Sequence, residues 1–195
     1  NQINKQSSGS SVFGLNGLTD MTQEEFESHY LCRHPMNFRQ REHLFSTYPV
    51  LRPTSKAYYL PTQFDWSRKG AVTPVQNQGH CGSCYTFGAV GNMEGNWYIH
   101  GEHAQNSEMR LVKLSEQQLL DCSHECMIIE GKEECNRGCD GGFEMIAFQH
   151  VIEQGGIMRA DAYPYEAVAG KCRFIPSRAA AHFRNWTFVR CNEEE

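Results

Sequence analysis

No apolar run in this 195-residue chain approaches the ~20 residues an α-helix needs to cross a bilayer, so no membrane span is expected. Charge of one sign is also scarce. There are 18 Lys and Arg against 23 Asp and Glu, a formal net charge of -5. So mild a balance argues against a general nucleic-acid binder, which needs a basic face. Neither an internal repeat nor a coiled-coil heptad is found, and no secretory leader stands at residue 1. Residues 1–11 are polar and rich in Ser and Gln, and read as a loose or processed end. Global disorder is excluded as well, because 39% of residues are hydrophobic and 11% aromatic, enough to bury a core. The length suits one domain, or one domain with an incomplete partner.

Cysteine is plentiful. It stands at 32, 81, 84, 122, 126, 135, 139, 172 and 191. This density points to an oxidising compartment and several disulfides. Structural zinc is the rival reading, because Cys81/Cys84 and Cys135/Cys139 have ligand-like spacing. The odd total requires at least one thiol outside any bridge within the chain. Asn185-Trp186-Thr187 is a glycosylation acceptor triplet and agrees with a secretory route.

Thr22 followed by Glu25 forms a capping-box signature, with Phe26 and Tyr30 on one face of the helix it starts. Residues 34–60, with Pro35, Pro49 and Pro53 and no clear period, read as an extended linker. A boundary is expected near Leu60-Pro61. A helix is expected from Cys84 to about residue 99, burying Phe87, Val90, Met93, Trp97 and Tyr98. A short one is expected from Ser115, with Gln118 as its capping partner. Residues 123–142 read as a charged loop, 143–154 as a helix stopped by Gly155-Gly156, and Phe183 to Val189 as the start of a strand.

The run Gln76-Asn77-Gln78-Gly79-His80-Cys81-Gly82-Ser83-Cys84 takes a polar loop into a helix through a cysteine. Helix N-termini carry free N–H groups and partial positive charge, and both favour thiolate over thiol. The backbone N–H of Cys84 and the side-chain amide of Gln78 are then candidate donors to a tetrahedral oxyanion. Two plainer readings stand beside this one: a Cys81–Cys84 redox pair, or a buried structural thiol.

Cys81-Gly82-Ser83-Cys84-Tyr85 resembles the nucleophile signature of the papain-like cysteine proteases. Further blocks match in order: Leu60-Pro61-Thr62-Gln63-Phe64-Asp65-Trp66, Leu114 to Cys122, Gly138-Cys139-Asp140-Gly141-Gly142, and Tyr163-Pro164-Tyr165-Glu166. With Val12 to Thr22 and Glu25-Phe26, which resemble the end of the family's pro-domain, the resemblance covers about residues 12–195. Asp121-Cys122-Ser123-His124-Glu125-Cys126 and the loop after it look most like cathepsin F-type and plant vacuolar members. Tyr85 departs from the Trp usual after the nucleophile.

The resemblance implies an α+β papain-like fold, here mostly the helical half-domain. Residues 1–33 are then the end of an inhibitory pro-domain, 34–59 its linker, and 60–195 an incomplete protease domain. It implies Cys84 as nucleophile and Gln78 as oxyanion donor. It places Gly82, Asp140, Gly141, Gly142, Phe143 and Glu144 against substrate, although Phe143 also fits a plain core position. Implied disulfides are Cys81–Cys139, Cys122–Cys172 and Cys126–Cys135, with Cys32 and Cys191 unassigned. The implied function is a cysteine endopeptidase acting through a Cys84 thioester on extended peptides. It needs no metal or other cofactor and is open to cystatin-like inhibitors. Lysosome, vacuole or secretion is the implied location, with a zymogen form and glycosylation at Asn185.

In that family the general-base His and its orienting Asn follow the nucleophile by ~130–150 residues, which from Cys84 begins near ~214. His182, in an Ala-rich run, reads as a surface residue. The expectation is a partial proenzyme whose second half-domain is missing, inactive as this chain alone. The alternative is a non-catalytic decoy homologue.

Overall fold

The computed structural model describes residues 14–16, 18–30, 38–48, 50–51, 61–101 and 111–189. Cys32 and Cys191 lie outside these. Helix α1, Gln23–Tyr30, begins at a complete capping box. Thr22 Oγ1 accepts from the Glu25 N–H at 3.2 Å, and Glu25 Oε2 accepts from the Thr22 N–H at 2.8 Å. Phe26 and Tyr30 stack with centroids 5.6 Å apart.

The expected extended linker is corrected at its centre. Phe38–Thr47 is a helix, α2, and Val50–Leu51 is a short strand, β1. Among the residues of α2 whose burial is described, the apolar ones are Leu44 and Phe45, with Tyr48 following, too brief a run to show a period. Tertiary contact supplies what local pattern lacks. Leu44 is buried with Ile129, Phe143, Met145 and Ile146. Phe45 meets Phe188 edge-on at 5.5 Å, and Tyr48 lies 5.4 Å from Trp186.

Helix α3, Cys84–His100, is the central element. It packs against α4, Glu116–Cys122, and α5, Glu144–Gln154. The main core gathers Tyr85, Ala89, Val90, Met93, Leu114, Leu119, Ala147, Val151, Ile157 and Ala181. The buried stripe of α3 is therefore turned from the expected one. Val90 and Met93 are buried as expected, and Tyr85 and Ala89 join them, whereas Phe87, Trp97 and Tyr98 are only half-buried. The largest side chains suggested a face that the small residue Ala89 helps set, because close helix packing favours small residues at the contact.

Ser115 caps α4, accepting the Gln118 N–H at 3.0 Å. The reciprocal half of that box does not form. Gln118 instead receives the Met158 N–H at 2.8 Å and donates to Gly156 O at 3.1 Å.

The charged loop expected after Ser123 is an antiparallel hairpin, β2 Cys126–Ile129 with β3 Lys132–Cys135. Glu130 (φ 53) and Gly131 (φ 73) turn it, the backbone of a two-residue turn with positive φ at both positions. The consecutive Met127-Ile128-Ile129 hid the alternation that marks a strand.

Gly155, at φ 91, ends α5 as expected. Strand β4, Ile157–Met158, pairs antiparallel with β5, Ala179–Ala181. Strand β6, Phe188–Val189, pairs parallel with β1. The fold is α+β, with helices dominant.

Candidate active site

Three disulfides join Cys81 to Cys139, Cys122 to Cys172 and Cys126 to Cys135, the pairs that the resemblance implies. The two cysteine pairs with zinc-like spacing are thereby split between bridges. Cys126, Glu133 and Cys135 do converge, but the two sulfurs are bonded to each other. Cys84 takes part in no disulfide. It is half-buried and opens α3, preceded by Ser83, whose side chain makes no cap bond.

The Cys81–Cys139 bridge brings the loop before α3 against the Gly-rich turn. Gly82 N–H donates to Cys139 O at 2.9 Å. A Cβ on Gly82 would stand 2.5 Å from that oxygen, so this close approach requires glycine. The turn itself is a single 3-10 turn, Gly138–Asp140, followed by Gly141 at φ 107. Asn136, almost fully buried, braces it from below. Its Oδ1 accepts the Phe143 N–H at 2.7 Å, and its Nδ2 donates to Ser123 Oγ at 2.9 Å. A Cβ on Gly142 would lie 2.4 Å from Asn136 Oδ1.

Among the residues expected against substrate, Asp140 is exposed, and Gly141 and Gly142 are half-exposed. Glu144 is exposed and reaches over Gly88 of α3. Phe143 differs. At 8% exposure it lies in the cluster with Leu44, Ile129 and Met145, so it fills the core position that the sequence also allowed. Gln78 is half-buried, and its Nε2 donates to Cys81 O at 3.0 Å. The amide thus lies along its own loop.

His182 is exposed, with Nδ1 2.8 Å from Gly155 O, a surface position as expected. His80 faces Tyr30 of α1, centroids 6.2 Å apart. Asn185 is exposed and accepts the Trp186 N–H at 2.8 Å. A cleft of about 670 Å³ lies elsewhere, between α3, α5 and residues 182–189, lined by Trp97, Phe148, Phe183 and Trp186 among others. It includes neither Cys84 nor Gln78.

Two side chains with a part in this geometry were not singled out from the sequence. Tyr165 reaches the Gln78 loop from 87 positions away, and Asn136 holds the Gly-rich turn. Only the Tyr-Pro-Tyr-Glu block hinted at the first, and nothing local marked the second. Burial raises the phenol pKa of Tyr165, against the lowering effect of its bond to Ser83. Burial likewise pushes that of Tyr85 far above the phenol range, with Cys84 and Tyr165 adding to the rise.

Residues 60–195 match the family described as Papain family cysteine protease. Among curated relatives, Cysteine proteinase 1 of Dictyostelium discoideum is 40% identical over 185 residues, 93% of this chain and 50% of that one. Cathepsin L2 of Homo sapiens is 37% identical over 188 residues, 94% of this chain and 48% of that one. The solved structure of a digestive procathepsin L2 proteinase from Tenebrio molitor larval midgut superposes with a TM-score of 0.66 at 31% identity. It covers 87% of this chain and 49% of that one. The chain thus spans about half the length of the relatives it matches. With a nucleophile-type cysteine opening a helix, a bridge tying its loop to a Gly-rich turn, and the sequence match over residues 60–195, the chain belongs to the papain family of cysteine proteases.

Proposed function

We propose that the protein is a cysteine-type endopeptidase in proenzyme form, with Cys84 as nucleophile. One observation carries the reading: Cys84 alone among the described cysteines is outside a disulfide, and it stands where loop becomes helix. In this mechanism the general base takes the Cys84 thiol proton, and Sγ attacks the peptide carbonyl carbon. The C=O electrons move to oxygen, where the Cys84 N–H and the Gln78 amide receive them. The C–N bond then breaks, the amine leaves with a proton from the general base, and a thioester remains. Water cleaves the thioester and restores the thiol.

The base and its orienting Asn belong, in this reading, to a second half-domain C-terminal to residue 195. The relatives' doubled length supports this. So do the exposed apolar side chains Phe64 and Trp66, whose rings meet edge-on at 4.7 Å, since exposed apolar surface calls for a covering partner. Peptide substrates would lie extended along Asp140, Gly141 and Gly142 by β-strand-like bonding, with Gly82 and Glu144 at the edge. Cystatin-like inhibitors would compete for the same groove.

Residues 1–33 and 34–59 are read as pro-segment and linker ahead of the protease domain, 60–195. Contacts of Tyr30 with His80 and of Leu44 in the Phe143 cluster support an inhibitory role. The Cys126–Cys135 hairpin supports the cathepsin F-like and plant vacuolar subgroup. A lysosomal, vacuolar or secreted location, with glycosylation at Asn185, suits a chain bearing three disulfides.

The test is thiol labelling of the purified chain with iodoacetamide, mapped by mass spectrometry. Cys84 should react at least about tenfold faster than glutathione near neutral pH, while peptide turnover by the 195-residue chain alone is absent or very weak. Labelling no faster than glutathione would overturn the nucleophile assignment. Robust turnover would overturn the divided site.

A further inference from the structure

The loop that carries Gln78 and leads into Cys84 is gripped at both ends by one phenol hydroxyl. Tyr165 Oη donates to Gln78 O at 2.8 Å and lies 2.6 Å from Ser83 Oγ. The proton inventory fixes the direction of the second bond. A phenol has one proton and a carbonyl only accepts, so the proton of Tyr165 goes to Gln78 O. Ser83 Oγ must then donate to Tyr165. The other acceptor near that hydroxyl, Cys81 O, is 3.5 Å away, too long to compete.

Tyr165 is itself fixed. Its ring meets the edge of Phe87, one turn into α3 from Cys84, at 5.0 Å and 78°. The next residue's N–H, Glu166, donates to Gln117 Oε1 at 2.8 Å, and Gln117 is a fully buried residue of α4. The chain segment bearing Tyr165 is therefore referenced to the core, and through it so is the loop. Cys81 is already held by its bridge and Gly82 by its bond to Cys139. Among the described residues, the backbone of Gln78 is anchored by Tyr165.

We propose that Tyr165 is a positioning residue for acyl chemistry at Cys84: by holding Gln78 O and Ser83 Oγ together, its hydroxyl sets where the Gln78 amide stands relative to the sulfur. This rests on the nucleophile reading above and assigns it a residue 81 positions after Cys84. The hydroxyl itself touches no reacting atom. It acts through the loop, so its loss alters oxyanion stabilisation and leaves the thiol in place.

Two reagents separate these effects. Iodoacetamide alkylates sulfur with loss of iodide and forms no oxyanion. A peptide aldehyde adds sulfur to its carbonyl carbon, the C=O electron pair moves to oxygen, that oxygen takes up the thiol proton, and no group leaves. Only the second reaction draws on the Gln78 donor. In the full 195-residue chain, Tyr165→Phe should leave the iodoacetamide rate at Cys84 within about twofold and weaken aldehyde capture by about tenfold or more. Ser83→Ala, which removes one arm of the grip, should give an intermediate loss.

A parent chain that does not label at Cys84 would overturn the nucleophile reading. A parent that labels but captures no aldehyde would overturn the present proposal, as would a Tyr165→Phe chain that captures aldehyde as the parent does. If labelling, capture and melting temperature all fell together, the hydroxyl would be merely structural, and the proposal would fail on that result too.

Discussion

Gly82 donates its N–H to Cys139 O at 2.9 Å, beside the bridge that joins Cys81 to Cys139. The loop before Cys84 and the Gly-rich turn are therefore held backbone to backbone as well as through sulfur. Gly82→Ala puts a Cβ 2.5 Å from that oxygen, and neither backbone can yield without breaking the bond. We expect a loss of roughly 1–3 kcal/mol, read by thermal melting, together with slower alkylation of Cys84.

Asn136 satisfies the Phe143 N–H and Ser123 Oγ from a buried position. Asn136→Ala strands a buried donor and removes the brace under Gly141 and Gly142. A cost of about 1–3 kcal/mol is expected, with earlier proteolytic cleavage in residues 137–143. Equal stability and equal protease resistance would contradict the bracing role.

The hydroxyl of Tyr85 is buried with no hydrogen-bond partner, while its ring fills the core between Ala89 and Ala147. Burying a hydroxyl unpaired costs about 1–3 kcal/mol. Tyr85→Phe keeps the ring and drops the hydroxyl, so the melting temperature should hold or rise. A clear fall would show that the hydroxyl has a partner in solution.

Burial raises the pKa of Glu116, even though the neighbouring ammonium of Lys113 pulls it down. A carboxyl whose folded value exceeds its unfolded value favours folding when protonated. Its contribution is present below the unfolded value of about 4.3 and is lost as pH climbs through the folded value. Glu116→Gln should therefore raise the unfolding midpoint near ~pH 7 and change it little near ~pH 3.5, where both states carry the proton. An equal gain at both pH values would show that charge is not the cause.

Where the site was legible, chemistry had left a local mark. Cys84 stood at a loop-to-helix junction, Gly141 and Gly142 in a glycine-rich turn, and Thr22 and Ser115 at caps. Phe143 was ambiguous for a physical reason: a residue at the mouth of a helix can line a groove or fill a core. Which it does depends on Leu44, a residue 99 positions earlier in a helix that local pattern did not reveal.

Residue order alone therefore determined the family, the helix starts at Thr22, Cys84 and Ser115, the Gly155 stop and, by resemblance, the cysteine left outside the three bridges. These depend on contacts within a few positions along the chain, or on motifs read as strings. Tertiary structure decided the helix Phe38–Thr47, the hairpin Cys126–Cys135, the turned face of α3, and the grip of Tyr165 on the nucleophile loop. The hairpin pairs neighbouring residues and was hidden by the unbroken apolar run Met127-Ile128-Ile129. The helix, the face of α3 and the Tyr165 grip instead draw on partners distant in sequence, such as Leu44 with Phe143 or Tyr165 with Gln78, and no local pattern encodes which distant side chain will arrive.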